Sequence, residues 1–162
     1  MYMGHLAVGL ASKQVSRETP IAALVIAPIL PDLADVVLGI AGVAHGWWYT
    51  HTVPAAAAWA IIAGVIGLAL YGRAGLILAP LAATHVPLDY ITSRIDVWPS
   101  GPNIGLGLYG QPMVDLAVEA VVICLGWWLY RQTLARERRN HWAVFAIGAV
   151  MLVFQGVWAT IL

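Results

Sequence analysis

Residues 53–92 read VPAAAAWAIIAGVIGLALYGRAGLILAPLAATHVPLDYIT, forty positions whose only formal charges are Arg73 and Asp89. A helix crosses about 30 Å of hydrocarbon in about 20 residues, so a stretch of this length is enough for two crossings. The charge of Arg73 belongs outside the apolar layer, which divides the stretch into one span over 53–71 and another over 74–92.

The same pattern continues outward in both directions. Apolar runs over 20–43, 112–130 and 142–162 are each close to the length of one crossing, and they bring the expected number of spans to five. The run from Tyr2 to Ser12 is too short to span and has no basic stretch before it; it reads as a short, partly inserted N-terminal helix rather than a signal peptide. The expectation is a single transmembrane domain over 1–162, an all-α integral membrane bundle of about five helices plus the short N-terminal one.

Composition points the same way. The chain is 61% hydrophobic and 10% charged, with a mean hydropathy of +0.82, whereas soluble domains are about a quarter charged. Eight basic residues balance eight acidic ones, which gives no reason to expect a nucleic-acid partner. A lone Cys124 excludes an intrachain disulfide and reads as an inert core thiol.

Basic residues fall at alternate loops: Lys13 and Arg17, then Arg73, then Arg131 to Arg139. Because Lys and Arg accumulate on the cytoplasmic side, the loops 44–52 and 93–111 are expected on the opposite side of an inner (plasma) membrane of prokaryotic type. Trp47, Trp48, Tyr49, Trp98 and Tyr109 suit the aromatic belt at that interface.

The acidic residues are placed differently. Asp32, Asp35, Asp89, Asp96, Asp115 and Glu119 lie within or at the edge of apolar runs, where an ionised carboxylate costs at least about 2.5 kcal/mol and calls for a cation. His85 and Asp89 are one helical turn apart, as are Asp115 and Glu119, and Asp32 and Asp35 are also neighbours on a helix. At about 1.5 Å per residue, His85, Glu119 and Asp35 all lie about 12–13 Å below the surface at which His51 begins its span. Common depth points to one site. Mixed imidazole and carboxylate donors suit zinc, with manganese or iron as further options, while protonated carboxylates or a proton chain remain an alternative. Asp115 also suits a helix N-terminus, and Arg94 either marks the interface, pairs with Asp96 or meets an anion.

Five motifs now stand in order: GHLAVG around His5, ILPDLAD around Asp32, YTHT around His51, THVPLDYIT around His85 and Asp89, and IDVWPSGPNIGLGLYGQPMVDLAVE ending at Glu119. Over about residues 3–130 the chain resembles the YdjM-like family of membrane-bound metal-dependent hydrolases, whose ligand order is similar to that of zinc-dependent phospholipases C. The resemblance implies that Asp32, His51, His85 and Asp89 hold one metal and that His5 and Glu119, with Asp115, serve a neighbouring one. This chain has Trp47 and Trp48 where relatives often carry a basic residue and glycine, Ala34 where some carry a second Asp, and Asp115 where the soluble enzymes carry His. One or two zinc ions would then cleave a phosphoester of a lipid or lipid-linked substrate in the non-cytoplasmic leaflet, with Asp35 or Glu119 as general base and Arg94 steadying the phosphate. A transporter and a scaffold with a structural metal are the competing classes.

Overall fold

Gly67 and Gly75 show how the forty-residue stretch is accommodated. A Cβ on Gly67 would lie 2.1 Å from the Gly75 carbonyl oxygen, so only glycines let the two backbones meet there. In the computed structural model, which describes residues 2–161, the chain turns back at Gly72, with φ of +61°. Helix α4 (Val53–Tyr71), started by Pro54 and capped by the Thr52 hydroxyl, thus packs against the returning arm. That arm consists of a 3-10 stretch (Gly72–Ile77), α5 (Leu78–Ala83) and α6 (His85–Thr92).

The remaining helices are α1 (Met3–Ala11), α2 (Ile21–Ile26), α3 (Leu30–Ile40), α7 (Pro112–Thr133) and α8 (Trp142–Ile161). Four segments are long and apolar enough to cross a membrane: Ile21–Ile40, Val53–Thr92, Pro112–Thr133 and Trp142–Ile161. The expected count of five therefore becomes four apolar segments, because the proposed spans 53–71 and 74–92 form one segment that doubles back. The fold is all-α apart from a two-residue antiparallel ribbon in the loop between α6 and α7, β1 (Ile95–Asp96) on β2 (Asn103–Ile104).

The first span is not one helix either. Pro28 and Pro31 interrupt it, and because Pro31 has no N–H to give the Ala27 carbonyl, the chain tightens into a 3-10 turn in which Leu30 N–H bonds Ala27 O instead. This break separates α2 from α3 and leaves Asp32 in the first turn of α3.

Helix α1 lies at the centre of the bundle, with Gly4, His5, Ala7, Gly9 and Leu10 buried. Gly126 of α7 admits its backbone, since a Cβ there would sit 2.3 Å from the Ala7 carbonyl oxygen. Ala7, Leu10, Ile123 and Met151 form one apolar core; Leu24, Ala27, Ala63, Leu78, Leu81 and Ala82 form another. Outward, Ile61, Val65, Leu70, Val121, Leu125 and Val153 are exposed, as residues facing lipid must be. The Cys124 thiol lies on this exposed face, contrary to the expectation of a core thiol, because α7 turns its buried side (Asp115, Glu119, Ile123, Gly126) toward α1 and α8.

Candidate metal centre

The interrupted helices deliver histidines and aspartates to one point. His5 comes from the middle of α1, Asp32 from the start of α3, His51 from the approach to α4, and His85 with Asp89 from one face of α6. His51 Nε2 lies 3.0 Å from Asp32 Oδ1 and 3.9 Å from Asp89 Oδ2. His85 Nε2 lies 3.6 Å and 3.2 Å from the same two oxygens, and His5 Nε2 lies 3.5 Å from Asp89 Oδ1. Two overlapping sets, His5–Asp32–His85 and His51–His85–Asp89, each offer ligand atoms within 4.8 Å of one another.

The tautomer of His85 is fixed by its other nitrogen. Nδ1 stands 2.9 Å from the Pro28 carbonyl oxygen, which can only accept, so Nδ1 carries the proton and donates it. In the neutral ring Nε2 is then a lone pair, buried, facing carboxylate oxygens and without a hydrogen-bond partner. A lone pair set against two carboxylates is repulsive unless a cation or a proton lies between them. That is the arrangement of a metal-ligating imidazole whose second nitrogen is held by a carbonyl, and the donor set suits a transition ion.

His51 is held in a similar way. Its Nδ1 is 2.7 Å from the Thr50 hydroxyl, which in turn lies 3.3 Å from Asp35 Oδ1 and 3.2 Å from the Trp47 carbonyl oxygen. The Thr50 hydroxyl thus holds the ring through Nδ1, and Nε2 is directed at Asp32 Oδ1, 3.0 Å away and within hydrogen-bond distance. Trp47 stacks on the His51 ring at 3.8 Å and 1°, which fixes the ring plane. Asp32 is the open member of the group: its side chain is 36% exposed, against 8% for Asp89 and none for His5 and His85.

The other candidates are placed elsewhere. Asp35 stands behind Thr50, one hydroxyl away from His51. Glu119, buried on α7, accepts from Tyr2 N at 2.6 Å with Oε1 and from Gly4 N at 2.8 Å with Oε2, so both oxygens serve the amino end of α1. Asp115 Oδ2 accepts from Gln155 Nε2 at 3.3 Å, and Gln155 Oε1 accepts from Met3 N at 3.4 Å. Among the described residues neither acid belongs to a three-ligand group, whereas His5, expected beside Glu119, joins the first cluster. For Glu119 the capping role gives the physical reason, since the unpaired N–H groups of a helix start satisfy a carboxylate without a metal, whereas Asp115 Oδ1 is buried without a hydrogen-bond partner. Arg94 is exposed in the loop after α6, packed on Gly107, and Asp96 accepts from Asn103 Nδ2 rather than pairing with Arg94.

Several residues of the site escape sequence reasoning. The Pro28 carbonyl has no sequence signal at all, and Trp47 reads as a belt residue until its stacking is seen. Tyr109 also reads as a belt residue, yet burial pushes its phenol up, with the Asp89, Glu119 and Asp115 carboxylates adding to the shift.

A helical bundle with four apolar membrane-length segments and a buried histidine–aspartate cluster defines an integral membrane protein with a metal-competent site. The family model of the YdjM inner membrane protein matches residues 1–162, and the chain belongs to that family. The match takes in α8, beyond the stretch of about 3–130 that carries the motifs. No curated protein and no solved structure matches the chain.

Proposed function

We propose that the chain is a membrane-embedded, metal-dependent phosphoesterase that acts on a lipid or lipid-linked phosphate, with the hairpin 53–92 counted as two of five crossings and the site toward the non-cytoplasmic leaflet. The observation that carries this reading is the buried His85 Nε2 lone pair, facing Asp32 and Asp89 beside His5 and His51. When bound, a divalent ion, zinc first and manganese or iron next, supplies a water of lowered pKa and a Lewis acid for a phosphoryl oxygen.

The chain's own residues hold and orient. Pro28 O fixes the tautomer of His85, Thr50 Oγ1 holds the His51 ring through Nδ1, and Trp47 fixes its plane. The partly exposed Asp32 marks the side from which substrate enters. Asp35 acts through Thr50 and Glu119 through α1, so both are assigned positioning roles in place of general base. Arg94, exposed on the loop that follows α6, is the cation available to a phosphate at that mouth.

The test is elemental analysis of chelator-free purified protein, followed by phosphate or headgroup release from mixed phospholipid vesicles, for the parent and His85→Ala. The expected result is at least one transition ion per chain and turnover, both lost in the variant. Metal without turnover on phospholipid or lipid-linked phosphate would transfer the site to a structural role, and a metal-free, folded parent would end the reading altogether. Orientation is tested separately with Ser100→Cys on a Cys124→Ala background: labelling by an impermeant reagent only after cells are opened would invert the topology.

A further inference from the structure

Seven of the eight basic residues (Lys13, Arg17, Arg73, Arg131, Arg136, Arg138 and Arg139) lie in the loops at the end of the bundle away from the histidine–aspartate cluster, against two acids, Glu18 and Glu137. Among the described residues none of the seven forms an ion pair. Two loops meet at this end, and internal hydrogen bonds fasten both. Lys13 Nζ donates to Arg17 O at 2.8 Å and Thr19 O at 2.7 Å, and the Thr19 hydroxyl donates to Ala74 O at 3.0 Å. Opposite, Arg139 donates to Leu134 O and Gln132 O at 3.0 Å each, and Arg131 Nε donates to Arg139 O at 2.9 Å.

Three cations are thereby used to build the rim. Between the loops lies a cavity of about 300 Å³ lined by Lys13, Arg17, Ile21, Tyr130, Leu134 and Arg138. No acidic residue lines it, and neither the Arg17 nor the Arg138 guanidinium has a hydrogen-bond partner among the described residues. Its depth in the bilayer follows from the chain: Ile21 opens the first apolar segment, and Tyr130 lies in the last turn of α7. A cavity with two unengaged guanidinium forks above and apolar side chains below has the polarity of a phospholipid at the headgroup level.

We propose that this cavity binds the phosphate headgroup of an anionic phospholipid from the leaflet on the basic face, independently of the metal centre. Arg17 and Arg138 grip the phosphate from opposite loops, and Ile21 and Leu134 receive the start of the acyl chains. The lipid then closes the gap between the α1–α2 loop and the α7–α8 loop.

Phosphatidylglycerol and phosphatidylcholine are titrated separately into the full-length protein in neutral detergent and counted by native mass spectrometry. The parent should retain phosphatidylglycerol in preference to phosphatidylcholine, and Arg17→Gln/Arg138→Gln should weaken that retention by about fivefold or more. The charge-matched pair Arg73→Gln/Arg136→Gln, outside the cavity, should stay within about twofold of the parent. Equal loss in both pairs would mean a diffuse basic surface, and no loss in the first pair would remove the site; either overturns the proposal. Displacement of the lipid by millimolar inorganic phosphate would overturn it in favour of a soluble anion. Should the double variant fail to fold, Arg138→Gln alone, on an exposed loop, carries the same test with a smaller loss expected.

Discussion

Two groups of carboxylates lie inside this bundle, and they meet different kinds of donor. Asp32 and Asp89 face three imidazoles whose nitrogens converge on them, a donor set that suits a metal ion. Glu119 faces the amides of Tyr2 and Gly4, and Asp115 faces the amide of Gln155. Both groups have the same one-turn spacing along a helix, His85 to Asp89 and Asp115 to Glu119. Spacing and depth therefore identify acids that need a partner, but they do not say whether the partner is a metal ion or the start of another helix. The two regions are joined through α1, because the helix that Glu119 caps is the one that carries His5 into the cluster.

The largest effect that sharpens the contrast is expected at the cluster itself. Asp89→Asn keeps the volume but removes the charge, and it should abolish retention of metal through purification, as read by elemental analysis. A variant that keeps its metal in full would place the ion elsewhere. Next comes the support of His51: Thr50→Val removes the hydroxyl bonded to Nδ1 and should weaken metal affinity by about 10- to 100-fold in competition with a chelator. An unchanged affinity would make that contact incidental.

At the other region the effect should fall on stability and leave metal stoichiometry unchanged. Glu119→Gln keeps one acceptor oxygen for the α1 amides but turns an N–H toward the second, costing about 2 kcal/mol of stability in a reversible unfolding assay. Loss of metal at full stability would reverse the comparison and make Glu119 a ligand. The smallest effect is expected at Gln155→Leu, which removes the longer bonds to Met3 and Asp115 and should cost about 1 kcal/mol. A cost above that of Glu119→Gln would shift the main support of α1 to α8.

Much of the membrane architecture is legible in the chain, since hydrocarbon excludes charge and Lys13, Arg73 and Arg131 punctuate apolar runs of the right length. The hairpin over 53–92 is nearly so, because Arg73 marks its turn, though the meeting of Gly67 with Gly75 appears only once the two arms are packed. The short Tyr2–Ser12 run was legible as a helix but not as the centre of the bundle; its burial depends on Gly126, about 120 positions away in a helix of ordinary apolar composition.

By itself the sequence determined the medium and the chemical types: an apolar bilayer protein whose acids and histidines within the apolar runs share one half of the membrane, a consequence of the cost of charge in lipid. Tertiary structure decided which acids share those histidines. His5 could join Asp32 and His85 only when α1 was inserted between α2 and α7, and Glu119 was withdrawn from the cluster by the same insertion. The physical reason is that a carboxylate in a dry interior takes the nearest donor, whether imidazole, metal or backbone N–H, and which donor is nearest is set by helix packing across residues distant in the chain.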